Sequence, residues 1–500
     1  FRQQGHELVD WIADYLEHGR ELPVLSRARP GELMERLPQG PPEEPRPWSE
    51  TMQILDEALL PGITHWNHPR FFAYFSITGS APGILAGTLS AALNVNAMLW
   101  RTSPAATELE HVVVRWLAEA LGLPASRFGV ITDTASISSL CALAAARHAA
   151  TDGRVRARGL AREERPLRLY VSDQAHSSID KAAILLGLGH DGVRTIPSDG
   201  AYRMDPEALR AAVAEDRAAG LSPFCVAATA GTTSTTSVDP LPAIAELCEA
   251  EGLWLHVDAA YAGSAAIVPE KRPLLEGWER ADSLVVNPHK WLFTPVGCSV
   301  LYTRRPETLR QAFRLVPEYL RSDVGDTRRG EPDGGDEEVT LPVDFMDFGI
   351  QLGRPFRALK LWMVFRAFGR RGLTERIRAH LGMAAELAAR IDADPDFERL
   401  APTPFSTLCF RCRPGVGGDT GDGTDLDGVA DDEWARLNED LLERVNREGD
   451  VFLSHTRLRG RLALRLAIGN LRTTPDDVDV AWQTLRRTAH GLRGIRDTER

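Results

Sequence analysis

Lysine is the residue type that first draws a chemical reading. It occurs at only four positions, 181, 271, 290 and 360, among 58 basic residues, the other 54 being arginine. A guanidinium stays protonated at ordinary pH, whereas a lysine amine can lose its proton and condense with a carbonyl. Lys290 is followed by Trp291-Leu292-Phe293, an apolar setting that disfavours the ammonium form and favours imine formation. A lone lysine whose head reaches solvent is the competing reading, and the scarcity of lysine shifts the balance toward chemistry.

Three further groups invite a reading beside it. Asp258 follows the apolar run Leu253–Val257 and precedes Ala259-Ala260. A buried carboxylate there needs a cation, and no lysine or arginine lies close in sequence. A protonated pyridine nitrogen would serve, and a structural salt bridge with a distant arginine is the alternative. Thr134-Ala135-Ser136 opens a helical stretch, which suits either a phosphate monoester or an ordinary N-cap. Asp133, next to that cradle, must point away from a dianion. His176 is a candidate for lying against a flat ring or donating to a carboxylate, against the reading of a core or surface histidine. A phosphate cradle, a buried acid and an imine-forming lysine each satisfy one end of pyridoxal phosphate, in which the cofactor is the electron sink.

The elements that must position these groups are legible as an α/β pattern. From about residue 85 to 300, short β-branched runs alternate with alanine-rich helical stretches, as in a parallel sheet with crossover helices. Five predicted strands end in polar clusters. Gly129–Thr132 leads into Asp133-Thr134-Ala135-Ser136, and Arg168–Val171 into Asp173-Gln174-Ala175-His176. Phe224–Ala228 leads into Thr229-Ala230-Gly231-Thr232-Thr233, Leu253–Val257 into Asp258, and Ser283–Val286 into Asn287-Pro288-His289-Lys290. Ligands of open parallel sheets bind beyond the carboxyl ends of the strands, so five clusters on one edge describe a site. Asp205-Pro206 starts one crossover helix and Gly252 closes another.

Outside this region the chain begins with an amphipathic helix over residues 1 to about 20, its stripe formed by Leu8, Trp11, Ile12, Tyr15 and Leu16. A proline-rich connector runs from Pro38 to Pro47. After Tyr319, the stretch Arg321–Glu338 reads as a lid or as disorder. Beyond about 370 the order helix, strand, helix indicates a smaller terminal domain, interrupted by the Gly/Asp-rich insert Gly415–Asp432, read as a surface loop. The expected divisions are a helical N-terminal dimerisation arm over 1–84, a large α/β domain over 85–368 and a small α+β domain over 369–500.

Composition narrows the partners. A formal charge of -12 argues against a nucleic-acid backbone, which needs a basic face. No apolar run is long enough to span a membrane. The six cysteines are scattered through apolar stretches, as expected of reduced thiols in a cytoplasmic protein. Cys409 and Cys412 have C-x-x-C spacing, but the apparent strand Leu408–Arg411 and the lack of a second pair leave a metal site unsupported, so no metal is expected.

At these residues the chain resembles the group II pyridoxal-phosphate decarboxylases, the family that includes aromatic-L-amino-acid decarboxylase. The matching text is HPRFFAYF from His68, SPAATELE from Ser103, SDQAHSSID from Ser172, LHVDAAYAGSA from Leu255 and NPHKW from Asn287. The resemblance runs from the first helix to LALRLAIGN. It implies fold type I, with a mainly parallel seven-stranded sheet flanked by helices, and an intertwined homodimer with active sites at the interface. It also implies Lys290 as the Schiff-base lysine and Asp258 as partner of the pyridine nitrogen. Ala135, Ser136 and Asn287 would hold the phosphate near His289, Thr229 would border the cofactor and His176 would stack on its ring. Tyr319 matches the mobile-loop tyrosine that reprotonates the quinonoid carbon. Trp66, Tyr74 and Phe75 match aromatic pocket residues. Gly353 matches a small position, and Asn96 and Met98 stand where the animal enzymes carry apolar and aromatic groups. Ile77 replaces a hydroxyl that contacts a catechol, which tilts the expected substrate toward tryptophan, phenylalanine or tyrosine. Asp133, Ile137 and Gly297 are further departures.

The implied reaction is decarboxylation of an aromatic L-amino acid to its amine. An aldehyde synthase, which decarboxylates and then oxidatively deaminates, is the nearest rival; within the family that outcome tracks loss of the loop tyrosine or the stacking histidine, and Tyr319 and His176 are both present. An aminotransferase would need a carboxylate clamp, for which Arg465 is a candidate, although a structural role for that arginine is preferred. An acidic substrate is disfavoured by the aromatic pocket. A non-catalytic protein on a decayed scaffold is disfavoured by Lys290, Asp258, His176 and Tyr319.

Overall fold

Short apolar runs rich in valine, alanine and leucine, each ended by polar residues, form a seven-stranded sheet. Its strands are β1 (Phe128–Thr132), β2 (Leu167–Ser172), β3 (Val193–Ile196), β4 (Ser222–Thr229), β5 (Trp254–Asp258), β6 (Ser283–Val286) and β7 (Ser299–Thr303), in the order β1-β7-β6-β5-β4-β2-β3. The pairs β3·β2, β2·β4, β4·β5 and β5·β6 are parallel, and β7 runs antiparallel to both β6 and β1. Because β7 is reversed between two neighbours, β1 regains the direction of β6. All five expected strand ends therefore fall on one edge. The mainly parallel seven-stranded sheet of fold type I is what the chain forms, and β3 and β7 are the two strands that the sequence reading did not single out.

The computed structural model describes residues 1–315, 341–414 and 431–498. The chain divides into two compact units, one of Ile77–Gly382 with Ala401–Thr407, the other of Phe1–Ser76, Met383–Leu400 and Leu408–Arg500. In the first, every residue of β5, β6 and β7 is buried, as expected where helices cover both faces of a sheet. The helix Ala135–Ala150 buries Cys141, Leu143 and Ala145 in the same cluster as Leu169, Ala227 and Leu301. The crossover helix Pro206–Ala218 is started by Asp205, whose carboxylate accepts from the amides of Glu207 and Ala208, a side-chain cap worth about 1 kcal/mol.

In the second unit a four-stranded sheet, order β10-β11-β9-β8, comprises β8 (Phe397–Arg399), β9 (Thr407–Cys412), β10 (Ser454–Leu458) and β11 (Arg461–Ala467). Leu408, Phe410, Leu464 and Leu466 pack with Leu437, Leu441 and Leu485 of the helices Asp431–Glu448 and Pro475–Thr498. Cys409 and Cys412 are both buried, and a three-residue offset on a strand sends their side chains to opposite faces. Burial pushes the Cys409 thiol up to about 11. The N-terminal helix Arg2–His18 buries none of its residues; of the expected stripe, Leu8 is exposed and Trp11, Ile12, Tyr15 and Leu16 are half-buried. No helix among the described residues is long and apolar enough to cross a membrane. Tyr319 and Arg321–Glu338 lie outside the described residues, as does most of the Gly415–Asp432 insert.

Candidate active site

The carboxyl ends of β4, β5 and β6 bring the central groups together. Strand register sets Thr229 opposite Asp258, and Asp258 opposite Val285. Asp258 is buried, and its Oδ1 accepts from the amide of Ala260 at 3.0 Å. No lysine or arginine among the described residues forms an ion pair with it, so the distant-arginine reading finds no support. A buried carboxylate of this kind favours a cationic or protonated ligand group.

Beyond β6 the chain turns sharply through Asn287 into the one-turn helix Pro288–Trp291, with the amide of Asn287 donating to Ala260 O at 3.1 Å. Proline at the first helical position loses no hydrogen bond there and pre-sets the backbone. Lys290 is half-buried. The aromatic residue after it anchors the turn: Trp291 stacks on Tyr261 with centroids 4.7 Å apart and planes 5° from parallel, and its indole N–H donates to His380 Nδ1 at 3.0 Å. Tyr261 in turn bonds Ser406 at 2.7 Å. His289 is buried, and its Nδ1 accepts from the amide of Cys298 at 3.1 Å. Burial and then the Lys290 charge push it down to about 4, so the ring is neutral at pH 7 with its proton on Nε2.

His176 follows β2 and presents an exposed ring in the single chain. Its Nδ1 accepts from the amide of Ser178 at 3.1 Å and lies 2.8 Å from the Ser178 hydroxyl. That leaves the proton of the neutral ring on Nε2. Desolvation lowers its pKa, Asp258 raises it and Lys290 lowers it, so the three groups lie within electrostatic reach of one another. The amide of Thr229 donates to Asp239 Oδ2 at 2.7 Å, and Asp239 Oδ1 accepts from the amide of Met204 at 2.7 Å. Asp239 is wholly buried and pushed up to about 6.

At the other end of the sheet, Thr134 occupies the N-cap of the helix Ala135–Ala150 in an extended conformation but makes no side-chain cap. The amides of Ala135 and Ser136 have no acceptor among the described residues, and Ser136 is exposed. A first turn left open in this way suits an anion better than the reading of a hydroxyl-capped helix. Asp133 is directed elsewhere: Gln351 Nε2 donates to its Oδ2 at 2.7 Å, and the Arg357 guanidinium pairs with its Oδ1. Ile137 is half-buried and packs against the hydrophobic core.

The residues present therefore fit pyridoxal phosphate: an open helix start for the phosphate, a buried acid with no ion-pair partner among the described residues for the ring nitrogen, and a half-buried amine for the aldehyde. Asn287 adds a buried Oδ1 with no partner among the described residues.

The expected substrate residues fall into two groups. In one unit Trp66 stacks on Phe71 at 4.4 Å and on Tyr74 at 5.8 Å, and the Arg465 guanidinium lies 4.4 Å over Phe75. Arg465 is buried and donates to the carbonyl of Tyr74, so its contacts are structural, as preferred over a carboxylate clamp. In the other unit Asn96 Nδ2 donates to Met98 Sδ at 3.3 Å, and Asn96 Oδ1 accepts from the amide of Arg354 at 2.9 Å, next to Gly353. Ile77 is half-buried, and Gly297 has a φ of +92° with no atom where a Cβ would stand. The sequence reading missed Ser178, Asp239, Tyr261, His380, Gln351 and Arg357. Only Ser178, two residues after His176, carried a local signal.

The conserved domain of pyridoxal-dependent decarboxylases matches residues 30–413. Tyrosine decarboxylase 4 of Petroselinum crispum is 40% identical over 501 residues, covering 98% of this chain and 94% of its own length. Phenylacetaldehyde synthase of Arabidopsis thaliana is 39% identical, covering 98% and 96%. The crystal structure of Oryza sativa TDC with pyridoxal phosphate and tryptamine superposes with a TM-score of 0.90 at 38% identity, covering 98% of each chain. On a match that spans most of its length and on relatives about 40% identical from end to end, the chain belongs to the pyridoxal-dependent decarboxylase family.

Proposed function

We propose that this protein decarboxylates an aromatic L-amino acid, tryptophan, phenylalanine or tyrosine, to the corresponding amine and carbon dioxide. The observation that carries the reading is the buried Asp258 carboxylate, unpaired by any basic side chain among the described residues, within electrostatic reach of Lys290 and His176. Relatives that decarboxylate tyrosine and others that make phenylacetaldehyde, each about 40% identical over nearly the full chain, support the substrate class.

When bound, pyridoxal phosphate supplies an electron sink for the pair released as carbon dioxide leaves. Lys290 would supply the amine that anchors the cofactor aldehyde. Asp258 would keep the ring nitrogen protonated, which deepens the sink. Thr134, Ala135, Ser136 and Asn287 would hold the phosphate, assisted by the neutral His289, and Thr229 would border the ring. His176, neutral with its proton on Nε2, would stack on the ring and orient the substrate carboxylate. Tyr319 would return a proton to the substrate carbon. Trp66, Tyr74, Phe75, Asn96, Met98 and Gly353 contact the substrate side chain, and Ile77 leaves a catechol without a hydrogen-bond partner. Two copies of the chain assemble through the arm formed by residues 1–84, around the 85–368 domain, with 369–500 as the small domain, in the cytoplasm.

The test is incubation of the pyridoxal-phosphate-loaded protein with separate L-amino acids, quantifying carbon dioxide, amine, aldehyde and peroxide together. Carbon dioxide matched by amine from an aromatic substrate is the expected result. Aldehyde with peroxide would move the protein to the oxidative reading that the phenylacetaldehyde synthases represent. Carbon dioxide from none of the aromatic substrates would sink the substrate assignment.

A further inference from the structure

The turn between β1 and the helix Ala135–Ala150 carries a charge that its apparent task does not call for. Asp133 sits one residue before Thr134 and two before the open amides, so a dianion at the helix start faces a carboxylate close by. Two unit charges several ångströms apart near a protein surface interact strongly enough to change an affinity by an order of magnitude. The structure meets this repulsion from one short segment, residues 351–357. Gln351 Nε2 holds Asp133 Oδ2 at 2.7 Å, and Arg357 pairs with Asp133 Oδ1. Arg354, from the same segment, holds the carbonyl of Ile131 at 2.8 Å and pairs with Glu110 at 2.6 Å, while the amide of Ile131 donates to the same Glu110 oxygen at 2.9 Å. Both sides of the turn, residue 131 within β1 and residue 133 beyond it, are therefore fixed from 351–357.

Arg357 is more than nine-tenths buried, and its Nη1 has no partner among the described residues. It lines a hollow of about 540 Å³ together with Asp133, Arg354 and Lys360. With Arg354 paired to Glu110 and Arg357 to Asp133, Lys360 leaves this side of the turn with a net positive charge. Arginine suits that duty better than lysine, since its planar fork grips a carboxylate while retaining further donors.

We propose that Arg357 and Asp133 form a positioning pair for the cofactor phosphate, in which Arg357 cancels the Asp133 charge and, with Gln351, holds the carboxylate away from the open helix start. The proposal rests on the reading of Ala135 and Ser136 as the phosphate cradle. It gives two substitutions opposite signs, which a purely structural role does not.

The test titrates protein stripped of cofactor with pyridoxal phosphate and, separately, with pyridoxal, following the absorbance of the imine with Lys290. Arg357→Gln is expected to weaken pyridoxal phosphate on the order of tenfold while changing pyridoxal less than about twofold. Asp133→Asn, which leaves the guanidinium in place, is expected to tighten pyridoxal phosphate about threefold with pyridoxal unchanged. Asp133→Asn combined with Arg357→Gln is expected to recover most of the loss. Equal weakening of both ligands by either single change, or no recovery in the double variant, overturns the proposal. If Arg357→Gln does not fold, the Asp133→Asn result decides alone: weakening or no change in pyridoxal phosphate affinity rejects the pair. Ser136→Asp serves as the control on the underlying reading. If it does not discriminate between the two ligands, the cradle itself is misassigned; if it does and the pair variants do not, only the pair falls.

Discussion

The two sheets of this protein differ in where their buried polar groups keep spare capacity. In the four-stranded sheet they are scattered: Thr407 Oγ1 at the start of β9 has no partner among the described residues, Arg411 of β9 pairs with Glu398 of β8 and lies 3.8 Å over the Trp434 ring, and the Cys412 thiol is enclosed among apolar neighbours. In the seven-stranded sheet, polar groups at the carboxyl edge are left with spare capacity. Among the described residues Asp258 has one amide and no ion-pair partner, Asn287 Oδ1 has no partner, and the amides of Ala135 and Ser136 have no acceptor. Unspent hydrogen-bonding and charge capacity in a buried setting costs stability, and it is retained where a ligand completes it. The contrast separates a sheet that serves the fold from one that serves chemistry better than any residue count does.

That contrast can be broken most directly at Lys290. Lys290→Ala is expected to reduce carbon dioxide release from aromatic substrates to background and to abolish the visible imine absorbance, with the far-ultraviolet circular dichroism unchanged. Asp258→Asn keeps the shape and removes the charge. We expect the turnover rate to fall by about 10²–10³, the loss seen when one preorganised electrostatic group is removed; a fall of less than threefold would mean that the carboxylate is only structural.

Acid should unfold the seven-stranded unit through its own histidines. His256 and His289 are buried and pushed down to about 4, while Asp239 is pushed up to about 6. Between pH 6.5 and 4 the unfolded chain binds protons at both histidine positions that the folded chain refuses, so stability falls as pH falls. Asp239 acts the other way, because the folded chain binds its proton first. At about 1.4 kcal/mol per pKa unit, two histidines against one aspartate leave a net loss on the order of 3–4 kcal/mol. Thermal melts of the cofactor-free protein from pH 7 to 4 should show this fall, and His256→Gln with His289→Gln should flatten it. The smallest effect belongs to the other sheet. Cys409→Ala and Cys412→Ala are each expected to leave turnover within about twofold and to cost about 1–2 kcal/mol in denaturant melts, the scale of a small core deletion. Loss of activity on either change would erase the distinction between the sheets.

The sequence displayed the strand-end groups because each sits directly after an apolar run, so Asp258, Thr229, Asn287 and Lys290 could be placed on one edge before any coordinates. Strand reversal was not visible in the same way. Ser299–Thr303 is buried along its whole length, and that burial is the same whether the strand runs with its neighbours or against them. The supports of the site were hidden for a different reason. Arg357 lies 224 residues from Asp133 and Ser406 lies 145 from Tyr261, and in a chain with 54 arginines no local feature marks the one that pairs. Asp133 looked like an obstacle to phosphate binding when read alone, and its resolution by Gln351 and Arg357 depends wholly on the fold.

The flat stack behind Lys290 gives the molecule an optical property. Trp291 is the neighbour of the amine, fully buried, stacked nearly parallel on Tyr261 and tied to His380 by its indole N–H. A chromophore locked in this way contributes a strong, fixed signal to the near-ultraviolet dichroism. It also sits close enough to an imine on Lys290 to hand over its excitation before it can emit. Loading with pyridoxal phosphate should therefore dim the Trp291 share of the emission from the eleven indoles, and borohydride reduction, by shifting the acceptor band, should alter that quenching in the same cuvette.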